Sequence, residues 1–265
     1  MNKTFVLIHG TWHGGWAWQE VVRCLAEKGH LAYAPTLAGH GPEARRDGVT
    51  HRDCVASVAK YIEEHNLRNV VLVGHSFGGT VVQRVVEELP RRIARATFLN
   101  ALILKDRQRV FDVLPEVFLE ALKAKNGTNS SASSAGNTMQ TLDPAPWETW
   151  RNNFIQDGSE CLARLTWEQL SPEPNQVNLD KLDLKRFYAL AVAKSFIYCR
   201  QDRAMPPGFF HPGMSSRLGV CKLVEMDGGH EVMFTRPAEL ADKIIEADSD
   251  GEAAPSLTHD YAWEI

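Results

Sequence analysis

The sequence has no long apolar run. Its apolar stretches are the length of single strands, far short of the ~18 residues that a membrane-spanning helix needs. It has no excess of one charge either: 29 Lys and Arg stand against 33 Asp and Glu, a net charge of −4. That balance offers no basic surface, so nucleic acid is not an expected partner. The local cluster Arg91-Arg92 with Arg95 reads as a solvated helix end. Cysteine is sparse, with five in 265 residues. The number is odd, the spacing wide, and no pair has the C-x-x-C pattern of a zinc or redox site. Cys24, Cys54, Cys161, Cys199 and Cys221 therefore read as reduced, mostly buried thiols. No G-x-G-x-x-G or Walker pattern is present to cradle a phosphate. At the N-terminus, Phe5 to Ile8 runs straight into His9-Gly10 with no small-residue cleavage site, so no signal peptide is expected and the expected location is the cytoplasm.

What is present is an alternation of short apolar runs with amphipathic stretches. Strands are expected at Phe5–Ile8, Leu31–Pro35, Asn69–Gly74, Ala96–Leu99, Ser195–Cys199 and Val220–Val224. Helices are expected at Trp16–Lys28, His51–His65, Gly78–Leu89 and Pro237–Ala247. Runs such as Val70-Val71-Leu72-Val73 are apolar at every position, as in strands buried on both faces. The fold class is α/β: a mainly parallel sheet of about six strands with helices on both faces. In such sheets chemistry sits at the carboxyl ends of the strands. The alternation breaks between 105 and 192. Asp112–Lys125 reads as a helix and Asn126–Gln140 as a mobile loop, followed by Trp147, Trp150 and Trp167. This stretch is expected to be a helical lid inserted into a core made of 1–104 and 193–247. The tail, 248–265, is expected to be flexible.

Gly74-His75-Ser76-Phe77-Gly78 matches G-x-S-x-G between a strand and a helix. A serine there sits on a sharp, strained turn with its hydroxyl exposed, and flanking glycines let strand and helix approach. Its hydroxyl is a weak nucleophile without a base. His230, in Gly228-Gly229-His230 after the last strand, stands where that base belongs. The acid that orients it is expected at Asp202, after the fifth strand, with Asp227 as a rival close to His230 in sequence. Oxyanion donors are expected from the backbone N–H groups of Phe77 and of Thr11 in the first loop. Gly10, Trp12 and His75 are pocket candidates. Trp16 and Trp18 fit either a pocket or the core.

At these residues the sequence resembles the plant methylesterase and hydroxynitrile lyase family of α/β-hydrolases, with its bacterial esterase relatives. The likeness runs through Phe5-Val6-Leu7-Ile8-His9-Gly10, His13-Gly14-Gly15-Trp16, Val71-Leu72-Val73-Gly74-His75-Ser76-Phe77-Gly78-Gly79 and Gly228-Gly229-His230. It covers about residues 3–102 and 193–245. It implies the α/β-hydrolase fold, a triad of Ser76, Asp202 and His230, oxyanion donors at Thr11 and Phe77, and neither metal nor organic cofactor. Cyanohydrin-cleaving members carry threonine at the position of Gly10 and lysine at that of Glu231. Both are missing here, so the resemblance points to the esterase branch. The insertion and the first-loop tryptophans Trp12, Trp16 and Trp18 suggest an apolar pocket and so a small apolar ester substrate, and the short apolar runs leave no membrane partner expected. A lyase, cyclase or cofactor-free oxygenase on the same triad, and a ligand receptor, are the competing readings. The sequence is silent on oligomeric state, with a homodimer the assembly to test.

Overall fold

A computed structural model describes residues 2–116, 119–120 and 141–249. Six parallel strands form the central sheet: β1 (Thr4–Ile8), β2 (Leu31–Tyr33), β3 (Val70–His75), β4 (Ile93–Leu99), β7 (Ala193–Cys199) and β8 (Lys222–Met226), in the order β2-β1-β3-β4-β7-β8. Between β4 and β7, a small antiparallel pair joins β5 (Thr141–Leu142) to β6 (Glu173–Pro174). Side chains alternate across the sheet as the pleat requires. On β1, Phe5 and Leu7 face one core with Val71 and Val73, while Val6 and Ile8 face the other with Val70 and Leu72.

Helix α1 (Gln19–Glu27) and the final helix, Pro237–Asp248, pack on the first of these faces through Val21, Leu25, Leu240 and Ile244. Helices α2 (His51–Glu64) and α3 (Gly78–Glu88) cover the second through Val55, Val58, Val81 and Val85. Thr50 caps α2, accepting from the Asp53 N–H while the Asp53 carboxylate accepts from the Thr50 N–H, a reciprocal arrangement that satisfies two helix-end donors.

Several boundaries differ from expectation. The last strand begins at Lys222, not Val220, because the chain is still turning at Gly219 (φ 68°) and Val220 is left exposed. Arg95 is not a solvated helix end. It lies within β4, buried, with its Nε 3.3 Å from Asp248 and its Nη1 donating to Ser195 Oγ at 3.0 Å. The final helix runs on to Asp248, which belongs to the packed structure and not to a free tail. Asp112 closes a short 3-10 turn, Val110–Asp112, and the following residues up to Pro115 are not helical, as the residue before proline disfavours the helical region. The remainder of the helix expected at Asp112–Lys125 falls largely, and the loop Asn126–Gln140 wholly, outside the described residues. So does the tail from 250 onward.

Among the described residues no helix is long and apolar enough to cross a membrane. All five cysteines are free: Cys24, Cys54 and Cys199 are buried, Cys221 is half-buried and Cys161 is exposed.

Candidate active site

The chain reverses direction across the sheet between β1 and β3. The loop after β1 runs toward β2 on one side, and the chain after β3 builds toward β4 on the other. A crevice opens at such a switch point, and the residues leaving β1, β3, β7 and β8 meet there.

Ser76 leaves β3 with φ 51°, a left-handed conformation that a residue with a Cβ adopts only when its surroundings impose it. Three backbone bonds do so. The Ser76 N–H donates to Leu99 O at 3.2 Å, and Ser76 O accepts from Gly79 N at 3.1 Å and Leu102 N at 3.0 Å. The glycines of the motif are needed for close approach. A Cβ at Gly74 would stand 2.7 Å from Gly78 O, and one at Gly78 would stand 2.6 Å from His9 O.

His230 is almost fully buried, and its Nδ1 donates to Asp202 Oδ2 at 2.6 Å. The same oxygen accepts from Asn100 Nδ2 at 2.5 Å, and Oδ1 accepts from the Ala204 N–H at 2.8 Å. Asn100, with φ 35°, is itself fixed by the Cys199 N–H donating to its Oδ1 at 2.9 Å. Asp227 is placed elsewhere: it is half-exposed and pairs with Arg200 at 2.8 Å. Burial opposes charge on His230. The Asp202 charge and hydrogen bond, together with the Glu231 charge, outweigh it and raise the imidazole above its ordinary value. Phe210 stacks on the His230 ring and Phe154 meets it edge-on.

The first loop presents Thr11. The Gly10 carbonyl accepts from His9 Nδ1 at 2.9 Å, while His9 Nε2 accepts from the Leu37 N–H at 3.1 Å. His9 is therefore the neutral Nδ1–H tautomer, in keeping with a pKa pushed well down by burial. A trans peptide points its N–H opposite its C=O, so anchoring the Gly10 carbonyl on His9 turns the Thr11 N–H away from His9. Among the described residues nothing accepts from the N–H of Thr11 or of Phe77. The latter lies at the N-terminus of α3, where the helix dipole favours negative charge.

Thr11, Trp12, Ser76 and His230 line one recess with Leu102, Phe154 and Met205. Two of the three pocket candidates lie off it. Gly10 sits behind the serine, where a Cβ would be 3.1 Å from Ser76 Cβ and 3.0 Å from His75 Nδ1. His75 is buried beneath His230 and donates from Nε2 to its carbonyl at 3.1 Å. Its pKa is pushed well down, chiefly by burial. Trp18 belongs to the core, and Trp16 stacks on Phe234. His75, His230 and Glu231 place donor atoms within 4.8 Å of one another, near enough to share a metal ion. One nitrogen of each ring is already hydrogen-bonded, and Glu231 faces His13 at 3.3 Å.

This geometry accords with the comparison with known proteins. Residues 5–243 match the model of the alpha/beta hydrolase family. The chain belongs to the α/β-hydrolases. Within them it falls in the plant methylesterase group with its bacterial relatives. An extracellular α/β-hydrolase from a Paenibacillus species, described as sharing structural and functional homology with tobacco salicylic acid binding protein 2, is 36% identical. It superposes with a TM-score of 0.84, over 92% of this chain and 98% of that one. A carbendazim hydrolyzing esterase of Nocardioides sp. (strain SG-4G) is 28% identical over 244 residues, 91% of this chain and 97% of the relative. Methylesterase 1 of Arabidopsis thaliana is 28% identical over 266 residues, 92% and 95% of the two chains. This α/β-hydrolase is a carboxylic ester hydrolase.

Sequence reasoning missed Asn100, whose side chain bridges Asp202 and the Cys199 N–H, and Glu173, which lies against the first loop. The signal for Asn100 was its place just beyond the end of β4, at the same sheet edge as Ser76. Glu173 carried none, because its partners are distant in sequence.

Proposed function

We propose that this hydrolase cleaves esters of small apolar acids through an acyl-enzyme on Ser76. The observation that carries the reading is the convergence of Ser76, Thr11 and His230 on one recess, with His230 held by Asp202 at 2.6 Å. Asp202 engages Nδ1, so Nε2 is the nitrogen left to serve the serine. Ser76 Oγ attacks the acyl carbon as His230 Nε2 takes its proton. The N–H groups of Thr11 and Phe77 receive the oxyanion. His230 then returns the proton to the leaving alcohol or phenol. Water, deprotonated by the same nitrogen, releases the acid. Asp202 keeps the imidazole in the required tautomer and stabilises its charged form.

The walls of the recess support a small apolar acyl group. Trp12, Leu102, Val110, Phe111, Leu142 and Phe154 are apolar, and Asn178 adds an amide. A short aliphatic or aryl acyl group suits them, and a charged one does not. The inserted segment supplies Leu142 and Phe154 and thereby acts as a lid. Turnover of p-nitrophenyl esters by wild type and Ser76→Ala tests the reading. The variant is expected to lose at least about a thousandfold in kcat while remaining folded. Turnover that survives the change refutes it.

A further inference from the structure

The peptide between Thr11 and Trp12 is held at one end by a buried carboxylate and at the other by a histidine that faces a second one. At its N–H end, the Trp12 amide donates to Glu173 Oε2 at 3.2 Å. Glu173 comes from β6, about 160 residues further along the chain, and is fully buried. It also accepts from Asn178 Nδ2 at 2.9 Å and faces His40 Nε2 at 3.3 Å. His40 is fixed in turn by its Nδ1 donating to Ala38 O at 2.9 Å. At the C=O end, the Thr11 carbonyl accepts from His13 Nδ1 at 2.7 Å. The other nitrogen of that ring lies 3.3 Å from Glu231 Oε2, without the alignment of a full hydrogen bond. Glu231 is also buried, and His13, with His230, overcomes the effect of burial and keeps its carboxyl below the usual range. The next peptide is tied as well: the Ser171 N–H donates to Trp12 O at 3.0 Å.

A buried carboxylate costs several kcal/mol unless it is paired and hydrogen-bonded. Glu173 binds this peptide directly and Glu231 stands behind the histidine that binds its carbonyl, in a loop whose Trp12 has φ 67°, a conformation that needs such support. The preceding peptide, which carries the Thr11 N–H, is fixed by His9. Thr11 thus lies between two fixed planes, and both of its backbone dihedrals are set. We propose that Glu173 and Glu231 are positioning residues that set the aim of the Thr11 N–H at the oxyanion. Glu173 reaches the loop from the inserted segment, and Glu231 from the turn that carries His230. Neither touches the reacting atoms. The proposal gives the buried Glu231, adjacent to His230, a task that hydrolysis requires. It rests on the Ser76 reading.

The test compares Glu173→Gln, Glu231→Gln and Ser76→Ala in the full-length chain. Steady-state kinetics on p-nitrophenyl butyrate are paired with binding of phenylboronic acid, which forms a tetrahedral adduct with an active serine, and of benzoate, which does not. Losing an oxyanion donor outright costs about 10²–10³ in kcat. Misaiming one is expected to cost about tenfold or more in each glutamate variant. KM and benzoate affinity stay within about twofold, while boronate affinity falls in step with kcat. A folded glutamate variant with kcat and boronate affinity at wild-type levels overturns the proposal. So does an equal loss of boronate and benzoate binding, which marks a disordered pocket and not a misaimed donor. Where Glu173→Gln does not fold, His13→Leu reads the same peptide from its carbonyl end, with the same expected split. Turnover surviving in Ser76→Ala removes the Ser76 reading itself. Turnover lost there and intact in the glutamate variants removes only the positioning role.

Discussion

On the proposed mechanism His230 serves as base with its imidazole neutral, so activity is expected to fall as pH drops through its pKa. That pKa is raised by Asp202 and Glu231 against the effect of burial. The acidic limb of kcat/KM is therefore expected above the ordinary histidine value of about 6.5. The groups around the ring are Asp202, Glu231 and a neutral His75. Glu231→Gln removes one negative charge and stabilises the imidazolium less, so the limb moves to lower pH. Glu173→Gln leaves it in place. A pH–rate profile of the three proteins checks the sign, and an upward move in Glu231→Gln contradicts it. At this scale the places of Ser76, Asp202 and His230 at one end of the sheet were legible because each follows a recognisable strand, and the structure brings them together there. Asn100 and Glu173 were not legible. Their meaning lies in hydrogen bonds to Asp202 and to Trp12, about 102 and 161 residues away. No pattern of neighbours in sequence records such a bond.

The strand–turn–helix unit of β3 and α3 works because β1 lies close beside it. The expected strands and helices were legible from apolar runs and from caps, and the sheet places them within a few residues of expectation. Arg95 misled because three arginines in five positions look solvated when tertiary partners are unknown. Only the packed fold supplies Asp248. The close approach of β1 and α3 gives a prediction of its own. A Cβ at Gly78 would meet the carbonyl oxygens of His9 and Ile8 at 2.6 and 2.7 Å. Both are backbone atoms that cannot swing aside. Gly78→Ala is expected to cost about 1–3 kcal/mol of stability and to slow modification of Ser76, because the helix carrying the Phe77 N–H shifts with it. Urea unfolding and the rate of labelling measure the two effects. An unchanged midpoint and rate would show that the contact is not tight.

Across the whole molecule, the two ends of the described chain are tied to the centre of the sheet through one carboxylate. Asp248, the last residue of the final helix, is buried and pairs with Lys3 and with Arg95 of β4. Beside them, Ser195 Oγ donates to Ala247 O at 2.7 Å. Removing one partner of a buried pair leaves the other poorly compensated, so Asp248→Ala is expected to destabilise the protein by about 3 kcal/mol. Asp248 lies at the opposite end of the strands from Ser76, so the active site is expected to stay intact. A lower urea midpoint with unchanged kcat in the folded protein is the expected result, and an unchanged midpoint contradicts it. The same sheet carries the loops after β1, β3, β7 and β8 to one edge, where Thr11, Ser76, Asp202 and His230 come together. The most direct measurement is reaction of the intact protein with a fluorophosphonate, followed by peptide mass mapping. A single adduct on the peptide containing Ser76, absent from Ser76→Ala, is predicted. A folded, unlabelled wild-type protein, or an adduct on another residue, would contradict it.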